Sequence, residues 1–168
     1  HAATGLRRFR KAYVEVARKN GKSTIAAGLG LYLMDFDGEA GAEIYCAATK
    51  REQAKICWTE AMRMVERTPS LKRRIKIVDS RANLHVLETA SKFEALGADY
   101  DSMDGLNPHA YIIDELHAHK TRGIVDALET AAGAREQPLA FYITTAGVAK
   151  ESVYSETHDY ARRVAEGI

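Results

Sequence analysis

Three short clusters in this 168-residue chain combine residue types and spacing suited to handling a nucleotide. The first is Arg18-Lys19-Asn20-Gly21-Lys22-Ser23-Thr24, which follows a β-branched run from Tyr13 to Ala17. A strand, a tight polar turn and a helix start, in that order, make a phosphate cradle. Backbone N–H groups point inward, the helix N-terminus adds partial positive charge, and Lys22 supplies a full one. The Ser23 hydroxyl can ligate the magnesium ion that travels with the phosphates. The usual P-loop pattern, Gly-x-x-x-x-Gly-Lys-Ser/Thr, has a glycine where this chain has Val16.

The second cluster is Asp114-Glu115, after the apolar run Ala110-Tyr111-Ile112-Ile113, in the manner of a Walker B strand. Adjacent side chains at a strand end diverge, so two roles are expected. Asp114 would hold magnesium, through a water or by way of Ser23, and Glu115 would polarise the water that attacks the γ-phosphate. The third is Thr144-Thr145, after Leu139 to Ile143, whose hydroxyls could sense the γ-phosphate and relay its loss. Each cluster alone has a plainer reading: a helix cap, the first turn of a solvated helix, a β-branched strand end. Their joint order selects ATP binding and hydrolysis.

The elements that must position these clusters alternate along the chain. Strands are expected over 12–17, 42–48, 75–78, 83–88, 92–96, 110–113 and 139–143, with 83–88 and 92–96 paired as a hairpin across 89–91. Helices are expected over 23–34, 50–66, 122–132 and 152–166. Gly28 and Gly30 would let the first helix approach the sheet closely. Ala54, Ile56, Cys57, Ala61, Met64 and Val65 would form the buried side of the second, and Thr68-Pro69-Ser70 would stop it. The polar stretch from Gly97 to Pro108 has the length and acidity of a functional loop. Continuous apolar strands alternating with helices argue for an α/β fold with a mainly parallel central sheet and helices on both faces. In such a sheet, ligands bind beyond the carboxyl ends of the strands.

Composition bounds the rest. The chain has the length of one domain, and 24 Lys and Arg against 23 Asp and Glu leave no global basic field. No apolar run approaches the length of a membrane span. Cys46 and Cys57 lack metal-ligand spacing and read as reduced structural thiols.

Arg18-Lys19-Asn20-Gly21-Lys22-Ser23, with Asp104-Gly105-Leu106-Asn107-Pro108 ahead of Asp114-Glu115-Leu116-His117-Ala118, resembles the ATPase domain of tailed-phage large terminases, particularly the HK97-like type. That family tolerates loss of the first P-loop glycine and carries a basic residue inside the loop. The resemblance covers nearly the whole chain. It implies a P-loop NTPase of the additional-strand, catalytic-glutamate class, hydrolysing ATP with Mg2+ to drive double-stranded DNA into a procapsid. By motif, Lys22 would contact the β- and γ-phosphates, Ser23 and Asp114 would serve magnesium, and Glu115 would be the catalytic carboxylate. Arg18 would be the loop arginine that stabilises γ-phosphate charge, and Thr144-Thr145-Ala146 the coupling motif. The implied partners are other copies in a ring, the portal and the small terminase subunit, in the cytoplasm of the infected host. Residues 1–168 would then be a single ATPase core excised from a longer protein, without an upstream adenine-side segment or a C-terminal nuclease domain.

Some relatives supply an arginine in trans from the loop before Walker B; residues 99–108 contain no Arg or Lys, leaving Arg81 and Arg135 as other candidates. His117 and His119 read as part of a polar loop that adjusts Glu115 rather than as metal ligands. Lys72-Arg73-Arg74 and the basic lead-in read as solvated faces able to touch DNA phosphates nonspecifically. Two rivals share the Walker features: a helicase-like nucleic-acid translocase, and a non-catalytic module in which nucleotide only organises assembly.

Overall fold

The apolar runs of the sequence become seven strands of one sheet: β1 (Lys11–Glu15), β2 (Glu43–Ala48), β3 (Ile75–Val78), β4 (Asn83–Val86), β5 (Ser91–Gly97), β6 (Pro108–Asp114) and β7 (Leu139–Thr144). The computed structural model describes residues 5–97, 105–147 and 152–168. Most of the stretch expected to be a functional loop, 98–104, therefore lies outside the described residues.

Strand order is β1-β7-β6-β2-β5-β4-β3. The first five are parallel, and β4 and β3 add antiparallel to the far edge, β4 and β5 forming the expected hairpin. The strand after Asp114-Glu115 in sequence, β7, inserts between the strand of the phosphate turn and the strand of the carboxylates. This is the additional strand of the fold class named above. It makes the ends of β1, β7 and β6 immediate neighbours.

Helices cover both faces because the central strands are apolar on both. Even-numbered positions Ile44, Cys46, Ala110 and Ile112, with Phe141 and Ile143, face α1 (Lys22–Asp35) and α2 (Arg51–Arg67) in one core. Tyr45, Ala47, Tyr111, Ile113, Ala140 and Tyr142 face α4 (Gly123–Ala131) and α5 (Val153–Glu166) in the other. Period-two alternation along β2, β6 and β7 thus divides their apolar residues between two cores.

Two local expectations change, and a third is met with an addition. The second helix, α2, stops at the extended Thr68 as expected. Proline fits the first helical position, and a short helix, α3 (Pro69–Arg74), begins there. On α2, Ile56 is exposed and Met64 only partly buried, while Trp58 takes a core place beside Ala54, Cys57, Ala61 and Val65. Gly28 has open space around it, but Gly30 is needed: a Cβ there would lie 2.7 Å from the ring of the fully buried Phe93. Cys46 and Cys57 are both free and buried; the contact with Cys57, then burial, pushes the Cys46 thiol well up.

Candidate functional site

Residues 16–21 leave the end of β1 and cross to the start of α1. Val16 N–H donates to Thr144 O at 3.1 Å, so the strand pairing runs on through the position where a glycine is usual. A valine suits that extended pairing. The turn closes with Lys19 and Gly21 in the left-handed region, φ 65° and 72°. Gly21 meets that demand without a Cβ penalty; Lys19 does not. The first turn of α1 carries no acidic residue and no side-chain cap. Its N–H groups and dipole are therefore left to an incoming anion. Asn20 and Thr24 are exposed around the turn, Ser23 is partly buried, and Arg18 and Lys19 are exposed, Arg18 without an acceptor among the described residues.

Lys22 behaves differently from its neighbours. Its side chain is only 8% exposed, and Nζ lies 3.7 Å from Glu115 Oε1. Two clusters of the sequence argument, one in the turn and one at the end of β6, therefore meet.

At the end of β6, Asp114 and Glu115 part as their alternation requires. Glu115 keeps the ladder to β7 through its N–H, which donates to Ile143 O at 2.9 Å. It then adopts left-handed φ 52°, ψ 51°, ahead of a 3-10 turn over Leu116–Ala118. For a residue with a side chain that conformation costs on the order of 1 kcal/mol. It aims the carboxylate across the strand ends instead of along the sheet face. Asp114 stays buried, 5% exposed, and its Oδ1 has no hydrogen-bond partner among the described residues.

Burial, and then the neighbouring Glu115 charge, pushes the Asp114 carboxyl up to about 6; a backbone hydrogen bond and Lys22 partly offset both. Relative to 3.8 in an open chain, the ionised form costs on the order of 3 kcal/mol of folding stability. Because the folded pKa is the higher one, that cost is absent below the unfolded value and complete once pH has risen past about 6. Asp114→Asn is accordingly expected to raise the thermal midpoint at pH 8, by several degrees, and to lose that advantage at pH 4. Melting curves at both values check it. A variant no more stable than the parent at pH 8 would remove the buried charge as the cause.

The end of β7 completes the group. Thr144 is fully buried, and its Oγ1 lies 2.8 Å from His117 Nδ1 and donates to Thr145 O at 3.0 Å. Thr145 Oγ1 donates to Glu115 Oε2 at 3.4 Å, and His117 Nδ1 sits 3.1 Å from the same oxygen. His119 is buried, its Nε2 has no partner among the described residues, and burial pushes its imidazole below the usual range.

The structure thus brings Lys22, Asp114, Glu115, Thr144 and Thr145 together at the carboxyl ends of three adjacent strands. It places Arg135 at the opposite end: its guanidinium donates to Asn107 O, Gly41 O and Glu39, ahead of β6 and β2. There the guanidinium is held by contacts within the chain. Arg81 is exposed in a 3-10 turn between β3 and β4. Sequence reasoning missed the set that ties α5 to this site. Tyr13 and Tyr154 hydroxyls both donate to Glu15 Oε2, at 2.6 and 3.0 Å, just ahead of the phosphate turn. Tyr154 and Glu15 lie 139 positions apart, and no local pattern joins them.

Comparison with known proteins gives a consistent result. A family profile described as the terminase large subunit, ATPase domain, matches residues 2–163. The large terminase subunit of Enterobacteria phage HK97 is 35% identical over 139 residues, 80% of this chain and 27% of that protein. The crystal structure of the HK97 bacteriophage large terminase superposes with a TM-score of 0.84 at 31% identity, covering 93% of this chain and 33% of that one. The Thermus phage P74-26 large terminase ATPase domain shares the fold, with a TM-score of 0.71 at 19% identity over 85% of this chain and 62% of that one. The chain spans about a third or less of the two HK97 relatives' length.

Proposed function

The chain belongs to the terminase large-subunit ATPase-domain family, and from that premise we propose that it hydrolyses ATP as the motor of a machine that packages double-stranded viral DNA. The observation that carries this reading is the approach of Lys22 Nζ to Glu115 Oε1, 3.7 Å, with Asp114 buried beside them. A cation and two carboxylates with separate environments, at the mouth of an uncapped helix, match the needs of phosphoryl transfer to water.

ATP would lie with its phosphates over the turn from Arg18 to Thr24. The N–H groups of Asn20, Gly21, Lys22 and Ser23 would face the phosphate oxygens, with Lys22 between the β- and γ-phosphates. Arg18 and Lys19 are exposed and can swing in as further cations. Glu115 accepts from the attacking water, and the Thr144 and Thr145 hydroxyls stand next to that carboxylate. Magnesium fits the residues present: Asp114 Oδ1 is a buried oxygen without a partner among the described residues. Hard cations of this kind take oxygen ligands. Ser23 and Asp114 would hold it, and it would supply neutralisation of phosphate charge. Without the ion the Asp114 carboxyl is protonated below about 6, so in acid a proton competes with the ion for this oxygen.

Double-stranded DNA, the portal and the small terminase subunit are the partners proposed, with several copies forming a ring in the cytoplasm of an infected host. No helix among the described residues is long and apolar enough to cross a membrane. The test is phosphate release from ATP by the purified chain over a wide protein concentration range. Weak turnover is expected, with specific activity rising as copies associate. Full activity at high dilution would overturn the ring, and bound nucleotide without any turnover would make the domain an assembly module.

A further inference from the structure

We propose that His117 is a positioning residue for hydrolysis, holding the Glu115 carboxylate and fastening it to the end of β7. The inference rests on the reading of Glu115 as the residue that activates water.

Hydrogen-bond accounting fixes how the imidazole is used. The Thr144 hydroxyl spends its one proton on Thr145 O, at 3.0 Å. Toward the ring of His117 it can therefore only accept, as an ionised carboxylate can only accept. Nδ1 lies 2.8 Å from Thr144 Oγ1 and 3.1 Å from Glu115 Oε2. Both contacts are satisfied only when Nδ1 carries the proton and shares it between them. The backbone N–H of His117 also donates to Thr144 Oγ1, at 3.3 Å. Ring and backbone thus grip the same buried hydroxyl. Glu115 Oε2 is held by His117 and Thr145, while Oε1 faces Lys22. Once phosphates draw Lys22 away, Oε1 is the oxygen released to a water, and the other stays fixed.

The base of the His117 side chain is also closely packed. A Cβ at Gly147 would come within 2.9 Å of both His117 Cβ and the Tyr154 ring, so the segment after β7 passes between them with no room to spare. Tyr154 lies on α5 and donates to Glu15, ahead of the phosphate turn. A shift of Glu115 therefore moves His117 against the end of β7 and, through Gly147, against α5.

The test compares His117→Ala, His117→Asn and Thr144→Val with the full chain, in single-turnover hydrolysis with protein in excess over ATP. An Asn amide can place a donor near the position of Nδ1; Ala cannot. His117→Ala is expected to slow hydrolysis about tenfold or more, because the Glu115 carboxylate loses the group that orients it, while ATP affinity stays within about twofold. His117→Asn should recover most of the rate. Thr144→Val should slow hydrolysis too, and combining it with His117→Ala should cost little more than His117→Ala alone. Hydrolysis by His117→Ala within about twofold of the parent, or an Asn variant as slow as Ala, would overturn the proposal. Should His117→Ala not fold, a Thr144→Val variant that hydrolyses at the parental rate would overturn it equally. Glu115→Gln serves as the control: if that variant stays active, the underlying catalytic assignment fails instead.

Discussion

Glu115→Gln is expected to bind ATP at least as well as the parent and to hydrolyse it 10²- to 10⁴-fold more slowly, the range that a positioned general base contributes. The substitution conserves size. A Gln carbonyl oxygen can still accept from His117 Nδ1 and Thr145 Oγ1, the two groups that hold Oε2. What disappears is the negative charge, and with it the power to polarise water. The same change relaxes two competing interactions. Lys22 loses the carboxylate 3.7 Å away and becomes freer to meet phosphate. Asp114 loses the neighbouring charge that, after burial, is the main influence pushing its carboxyl up to about 6. Both effects favour binding, so affinity and turnover should move in opposite directions. Equilibrium nucleotide binding alongside phosphate release measures the two separately. Turnover at the parental rate would sink the assignment of Glu115.

Much of this arrangement was legible because it depends on short-range chemistry. A tight polar turn between a β-branched run and a helix, and carboxylates at the end of an apolar run, are local patterns with few physical outcomes. The parallel sheet followed from strands apolar on both faces, and two cores indeed enclose it. Even Val16, a departure from the usual pattern, is explained by a backbone hydrogen bond to Thr144.

What escaped the sequence depends on long-range placement. Periodicity put Ile56 inside and was silent on Trp58, because the buried arc of α2 is set by where the sheet lies under it. Arg135 looked free as a string of letters, but the start of β6 and the loop before β2 satisfy its donors. His117 was legible only as a polar neighbour of Glu115. Its grip on Thr144, 27 positions away, exists because β7 inserts beside β6.

Lys22→Ala should separate from Glu115→Gln by damaging binding and hydrolysis together. The lysine is buried at the mouth of an uncapped helix, and a charge-assisted contact to phosphate in such a place is worth about 2–4 kcal/mol. Affinity should therefore fall roughly 30- to 1,000-fold, with a further loss in turnover, since the same cation meets charge developing between the β- and γ-phosphates. A second consequence arises without nucleotide. Lys22 is a cation that counters both Asp114 and Glu115, and its removal leaves the charges of two neighbouring carboxylates without that offset. The Asp114 carboxyl, already high, should rise further, and the unliganded variant should melt below the parent at pH 8 and recover as acid protonates Asp114. Nucleotide titration, phosphate release and melting curves at two pH values together test the idea. Unchanged affinity would mean that Lys22 serves to neutralise Glu115 rather than to bind phosphate. In the parent, then, one ammonium group answers two demands in turn: it holds the carboxylates apart in charge until ATP arrives, and leaves Glu115 exposed to water when the phosphates take it.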